Sequence, residues 1–330
     1  MDKYKNSKYI FVVGIGGSDL AGKAVWNAMT LHKTDLDKKV FFLEAPDTRE
    51  YEEVKDFVNN NIASKEEMVL IAVSKSGTTE ETLATYHKTF DILSEKFGIG
   101  IEDRILIIST KDTPLWKLAE EKSVEHLEWE GDTSGRFSAF TVAHTTLLSI
   151  VSLDTESFVA GGKEVDANST SRLAEDIFEY HKKQAADILD FFIFNSELED
   201  LGKWSRQLVA ESLSIITPTV SIGPTDLHSM LELYLGGPKN RFTIFICSTG
   251  EIENTVNRTA YENVKKAYEE AGLPFMTYEI DKIDERSLGG FMGFLMKTVL
   301  TLARLLEVDP YDQPAVENYK SEIKNELDSI

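Results

Sequence analysis

The residues Ser74-Lys75-Ser76-Gly77-Thr78-Thr79 bring four hydroxyls, an ammonium and a glycine together within six positions. They follow an apolar run of β-formers, Val69–Val73, and precede Glu80-Glu81-Thr82-Leu83, which opens a helical pattern. A strand, a tight polar loop and a helix N-terminus offer one anion backbone N–H groups, hydroxyl donors and the positive end of a helix dipole. Such a loop is suited to cradling a phosphate. A second loop, Gly14-Ile15-Gly16-Gly17-Ser18, closes the apolar run Tyr9–Val13 and invites nucleotide readings. From Gly17 to Ala24 the chain nearly matches a P-loop, but Ala24 replaces the Ser or Thr that would hold magnesium. A dinucleotide fingerprint from Gly14 and Gly16, with Glu44 as the ribose-binding acid, needs a glycine where Asp19 sits. The other reading is a loop whose backbone approaches a ligand closely, as bare glycines allow.

Other side chains stand out singly. Arg136 sits at the turn Asp132-Thr133-Ser134-Gly135, from which a guanidinium can reach an oxyanion; its plainer reading is a surface arginine. His228 follows the strand-like run Thr219–Ile222 and falls in the expected first turn of a helix. A positive charge is disfavoured there, which favours a neutral imidazole. Glu211 lies on an amphipathic helical stretch beginning near Trp204, where spacing alone does not separate it from a solvated surface acid. His32, His87, His144 and His181 read as structural or surface residues, and His126 near Glu128 and Glu130 lacks a metal-ligand spacing. Lys320, four residues after Val316, reads on its own as a lysine snorkelling at the edge of an apolar helix face.

The elements that must position these residues alternate. Tyr9–Val13, Val40–Leu43, Met68–Val73 and Arg104–Ser109 read as strands, separated by helical patterns over Asp19–Met29, Thr79–Phe97 and Leu115–Lys122. Alternation of this kind implies a parallel sheet covered by helices, with ligands at the carboxyl ends of the strands. Thr219–Ile222, Phe242–Cys247 and Phe275–Glu279 read as strands of a second unit, with a helix over Asn254–Ala271 broken by Gly272 and Pro274. The run ending Cys247-Ser248-Thr249-Gly250 faintly echoes the one ending at Gly77. Phe291–Leu306 is the most apolar long window, too short to span a bilayer and read as a buried or amphipathic helix. Pro314 opens a last helix with Val316, Tyr319, Ile323 and Leu327 on one face.

Composition bounds the partners. In 330 residues, 42% hydrophobic and 28% charged content is ordinary for a globular protein with room for two cores. A net charge of −21 argues against nucleic acid and anionic membranes, and it requires a phosphate site to be locally positive. The single cysteine, Cys247, excludes an intramolecular disulfide and fits a reducing cytoplasm. Met1-Asp2-Lys3-Tyr4-Lys5 is polar, without the apolar core of a leader. The expectation is a cytoplasmic protein.

Gly14-Ile15-Gly16-Gly17-Ser18-Asp19-Leu20, Ser74–Thr82, Gly135-Arg136-Phe137-Ser138, Asp226-Leu227-His228-Ser229 and Asp312–Lys320 together, in that order, resemble the glucose-6-phosphate isomerase family. The resemblance covers residues 14–320 and implies an α/β fold of two sugar-isomerase (SIS) domains, each a parallel sheet flanked by helices. The division would be 1–155, 156–308 and a C-terminal helix, 309–330, completing the active site. It further implies an aldose–ketose isomerase of glycolysis and gluconeogenesis, without metal or cofactor, acting on a hexose 6-phosphate as a homodimer. Ser74, Lys75, Ser76, Thr78 and Thr79 would hold the phosphate, with Gly17 and Ser18 at the sugar. Arg136 would stabilise enediolate charge. Glu211 would be the base, with Glu197 and Glu199 the nearest rivals, because Ser212-Leu213 follows where a Gly-Lys pair is often found. His228, from the partner subunit, would assist ring opening. Gln313 and Lys320, two turns apart on one helix face, would complete the site, Lys320 acting at the ring oxygen. The chain is short for the family, and Gly223-Pro224-Thr225-Asp226-Leu227-His228 departs from its common form.

These roles are chemically coherent. One carboxylate can move a proton between adjacent carbons through a cis-enediol, a fixed cation stabilises the oxyanion, and the distant phosphate supplies binding energy. A dual phosphoglucose/phosphomannose isomerase fits the same residues. A non-catalytic phosphosugar-binding protein needs only the phosphate loop.

Overall fold

The computed structural model describes residues 2–131, 133–184, 186–250 and 255–327. The chain divides into two compact units. The first comprises residues up to Lys23 and Lys33–Thr155; the second comprises Ala24–His32 and the chain from Glu156 onward.

In the first unit β1 (Tyr9–Val13), β2 (Lys39–Leu43), β3 (Met68–Ser74), β4 (Ile105–Ser109) and β5 (Glu125–Glu128) form one sheet ordered β2-β1-β3-β4-β5. Every pairing is parallel, with Val13 opposite Ala72 and Ser74 opposite Ser109. Helix α1 (Leu20–Thr30) begins in this unit, its residues from Ala24 onward belonging to the second, and the connecting helices are α2 (Thr48–Asn61), α3 (Glu80–Phe97), α4 (Pro114–Glu121) and α5 (Val142–Ile150). Every residue of β3 is buried, as a central strand covered on both faces must be. Phe11, Leu70, Ala72 and Ile107 of one sheet face share a core with Val54 and Val58 of α2, Leu93 of α3 and Leu115 of α4. Residues of opposite parity, among them Val12, Ile71 and Ile108, are buried as well. The charged edge strand β5 and the helix α2 have no counterpart in the sequence reading.

In the second unit β6 (Ile188–Ile193), β7 (Thr217–Ile222), β8 (Arg241–Ser248) and β9 (Phe275–Ile280) form a parallel sheet ordered β7-β6-β8-β9. Its helices are α6 (Thr155–Lys163), α7 (Ala167–Gln184), α8 (Glu199–Leu213), α9 (Thr225–Ser229), α10 (Leu231–Gly236), α11 (Thr255–Ala271), α12 (Glu285–Leu306) and α13 (Pro314–Leu327). The expected start of α11 at Asn254 lies outside the described residues. One face is an aromatic core of Phe192, Phe194, Phe245, Tyr261 and Tyr268.

The helix α12 runs six residues further toward the N-terminus than its apolar window, so it is long enough to cross a membrane. It is nonetheless mostly buried within the protein. Gly289 and Gly293 carry its backbone against α6: a Cβ at Gly289 would stand 2.0 Å from the Phe158 carbonyl oxygen, and one at Gly293 2.4 Å from that of Gly162. Its composition is that of a core helix.

Both sheets share one topology. The second strand in sequence lies on one side of the first, and the third lies on the other. The chain therefore leaves β1 and β3, and likewise β6 and β8, in opposite directions. Such divergence opens a crevice at the carboxyl ends of the two strands.

Candidate active site

At the β1/β3 divergence lies a cavity of about 460 Å³ lined by Ser18, Ser74, Lys75, Ser76, Thr79, Thr110 and Thr113. Its lining holds one lysine, six hydroxyl side chains and no carboxylate. A strongly acidic chain thus presents a locally positive, donor-rich surface where an anion can bind.

The loop after β3 is folded by its own side chains. The Gly77 N–H donates to Ser74 Oγ at 3.1 Å, and the Thr78 N–H to Ser76 Oγ at 3.3 Å. Thr79 Oγ1 lies 3.3 Å from Ser74 Oγ and 3.4 Å from Ser76 Oγ, so three hydroxyls converge. Thr79 is the N-cap of α3, yet its side chain does not cap the helix. It is turned to the cavity instead. Gly77 has φ +62°, and a Cβ there would lie 2.5 Å from Thr113 Oγ1, so only glycine fits. Thr78 is exposed and does not line the cavity.

Thr110 and Thr113, which the sequence reading passed over, close the cavity from the end of β4. Ser109 Oγ donates to the Ser74 carbonyl at 2.7 Å and lies 2.8 Å from Thr113 Oγ1. Thr113 also caps α4, accepting from the Trp116 N–H at 3.4 Å. A threonine before a proline at a helix start is a recognisable N-cap signal, and it would have drawn attention to this loop.

The other wall is the loop after β1. Ser18 faces the cavity, and Gly17 meets Gly135 backbone to backbone: a Cβ on Gly17 would stand 2.4 Å from the Gly135 carbonyl carbon. Gly17 is bare for the sake of this packing. The contact sets the turn Gly135–Phe137, which carries Arg136, beside the cavity wall. Arg136 is 3% exposed, which rules out a surface arginine. Asp132, in the turn before it, lies outside the described residues.

His144 on α5 locks the wall from behind. Its Nδ1 accepts the Gly22 N–H at 3.1 Å, so Nε2 carries the proton, with Ser138 Oγ at 2.9 Å and the Gly17 carbonyl at 3.1 Å. Burial pushes His144 down to about 4, opposed by the Gly17 hydrogen bond, so it is neutral at physiological pH. Its role is structural.

In the second unit Glu211 sits on α8, partly buried, its Oε1 accepting from Gln207 Nε2 at 2.8 Å. Of its rivals, Glu199 pairs with Lys203 at 2.9 Å, and Glu197 lies 3.4 Å from His32 Nε2. His228 is exposed on α9, a helix of five residues in which it stands in the last turn. The expectation of a first-turn histidine disfavoured as a cation therefore fails, because this helix is a single turn. Gln313 lies one residue before α13, its N–H donating to Asp312 Oδ1 at 2.8 Å, so it stands outside the helix that carries Lys320. Lys320 lies on α13, and its side chain is outside the described residues. His126 Nδ1 lies 2.9 Å from the Val124 carbonyl, and its ring packs edge-on against Trp116.

Comparison with known proteins bears on the chain as a whole. The family model described as Phosphoglucose isomerase matches residues 2–179. A glucose-6-phosphate isomerase of Methanocaldococcus jannaschii is 26% identical over 97% of this chain and 85% of its own length. Among solved structures, a glucose-6-phosphate isomerase from Chlamydia trachomatis aligns with TM-score 0.82 and 17% identity over 98% of this chain and 70% of its own. A tagatose-6-phosphate ketose/aldose isomerase from Escherichia coli aligns with TM-score 0.60 and 14% identity, covering 93% and 84%.

Proposed function

Since the chain belongs to the phosphoglucose isomerase family, we propose that it interconverts glucose 6-phosphate and fructose 6-phosphate through a cis-enediol, as an aldose–ketose isomerase. The observation that carries this reading is the acid-free cavity at the β1/β3 divergence, lined by Lys75 and by the converging hydroxyls of Ser74, Ser76 and Thr79.

Lys75 and those hydroxyls take the non-reacting phosphate, supplying remote binding energy that holds the sugar. Thr78 belongs to the same substrate-binding loop. Gly17 and Ser18 border the sugar. Arg136 stands near the developing enediolate oxygen, where a fixed cation lowers the barrier most. Glu211 is the base that takes the proton from C2 and returns it to C1. His228 and Lys320 serve ring opening, His228 reaching in from a second copy of the chain, and Gln313 completes the site. In this reading the enzyme is a cytoplasmic homodimer of glycolysis and gluconeogenesis. Residues 1–155 and 156–308 form its SIS domains, and 309–330 its closing helix.

The test is a coupled assay that follows glucose 6-phosphate formed from fructose 6-phosphate by the purified protein. Steady turnover is expected. A folded protein that binds fructose 6-phosphate yet gives no turnover would leave only a phosphosugar-binding role.

A further inference from the structure

Asp19 directly follows Ser18 of the cavity wall and precedes the first residue of α1. An aspartate at a helix N-cap ordinarily accepts the N–H two or three positions on. Here the Gly22 N–H is taken by His144 Nδ1 at 3.1 Å. The carboxyl, released from capping, points into the protein: Asp19 is 2% exposed, and no N–H or O–H among the described residues reaches either of its oxygens. What does face it is a second carboxyl, Glu44, just past the end of β2, together with Lys23 one turn along α1. Lys23 is ion-paired with Glu44. Further out, Glu50 of α2 and Asp47 add negative charge around the same pair.

A buried carboxylate without donors is far more costly than the neutral acid. Two carboxyls side by side relieve that cost by sharing one proton. Burial, and then the Glu44 charge and hydrogen bond, push Asp19 well above the usual carboxylate range, with Lys23 opposing. Glu44 is the natural acceptor of the pair, because Lys23 is ion-paired with it and its side chain is 40% exposed, against 2% for Asp19.

We propose that Asp19 is a positioning residue for the isomerase reaction: as a neutral acid it donates a hydrogen bond to Glu44, and this acid pair, clamped by Lys23, holds the Gly16–Ser18 turn as a firm wall of the phosphosugar cavity. The inference rests on the reading of that cavity given above. When Asp19 ionises, two adjacent carboxylates repel beneath the wall. Substrate binding weakens, while the proton transfer itself is little affected.

The test compares Asp19→Asn, whose amide keeps the shape and can still donate to Glu44, with Asp19→Ala, which removes the donor. Asp19→Ala is expected to raise the KM for fructose 6-phosphate about tenfold with kcat nearly unchanged, the loss of one hydrogen bond to a charged group. Asp19→Asn is expected to restore the KM and to abolish its rise on the alkaline side. A second measurement needs no activity: urea unfolding of wild type and Asp19→Asn across pH. Native Asp19 keeps a proton that the unfolded chain releases above about pH 4. Wild-type stability therefore falls relative to Asp19→Asn as pH rises from there toward the raised native value. A folded Asp19→Asn protein as impaired as Asp19→Ala, or unfolding differences that do not vary with pH, would overturn the proposal. If even the wild type fails to turn over fructose 6-phosphate, the isomerase reading falls, and the unfolding curves alone decide the acid pair.

Discussion

The two sheets diverge in the same way at β1/β3 and at β6/β8, yet among the described residues their turns are built differently. After β3 the chain turns on Ser74 Oγ and a glycine at φ +62°, and three hydroxyls converge. After β8 it stays in the sheet for another residue: the Thr249 N–H donates to the Ile280 carbonyl at 2.9 Å. Asn195, just past β6, plugs the gap by accepting the Ser248 N–H at 2.7 Å. A Cβ on Gly250 would stand 2.1 Å from the Asp281 carbonyl oxygen, so the backbones there are already in contact. Strand order creates the opportunity for a site, and turn chemistry decides whether it is taken. The faint sequence echo between the two loops is an echo of topology, and up to Gly250 the second turn is closed by backbone and Asn195 contacts.

This contrast can be broken by substitution. The largest effect is expected from Glu211→Gln in the second unit: kcat falls by about 10²–10⁴-fold, the usual worth of a general base, with KM little changed. Near-normal turnover would move the base to Glu197 or Glu199. Next, Lys75→Ala removes the cation of the cradle and should lower kcat/KM about 10–100-fold, mostly through KM, as loss of a charge-assisted contact of about 1.5–3 kcal/mol. Asn195→Ala should do the reverse. It strands the Ser248 N–H and costs about 1–3 kcal/mol of stability, seen in the melting temperature, and leaves KM alone. A raised KM there would mean that the second divergence also binds ligand. The smallest expected effect is a difference between two glycines. Gly77→Ala and Gly272→Ala share the left-handed backbone cost of about 1–2 kcal/mol. Only Gly77 also faces a clash with Thr113, since a Cβ at Gly272 would meet nothing within 4 Å, so only Gly77→Ala should also impair fructose 6-phosphate binding.

Much of the first unit is legible in the sequence because its signals are local. An apolar run, a hydroxyl-rich loop and a helical pattern in succession define β3, the cradle and α3. The second unit hides its central strand. Ile188–Ile193 carries Asp190 in its middle, and that carboxyl is 0% exposed, held by Ser221 and Arg241 from the flanking strands. A buried charge of this kind is stable only with partners far along the chain, which periodicity does not reveal. The same holds for His144, whose Nδ1 partner is 122 residues away. Arg136 was singled out by its turn, but its burial follows from the meeting of Gly17 and Gly135, a contact between segments remote in sequence. Thr110 and Thr113 were missed although their signal is local.

The meeting of Gly17 and Gly135 also limits how this pocket can be altered. A methyl group at either position displaces the opposite backbone, so the loop after β1 and the arginine turn shift as one body. Enlarging or reshaping the pocket at position 17 therefore re-aims a guanidinium on another segment of the chain. A library that varies the wall alone would sample mostly misplaced arginines, whereas paired changes at 17 and 135 would be needed to separate substrate fit from charge placement. The two glycines act as a single packing unit, although 118 positions separate them in the sequence.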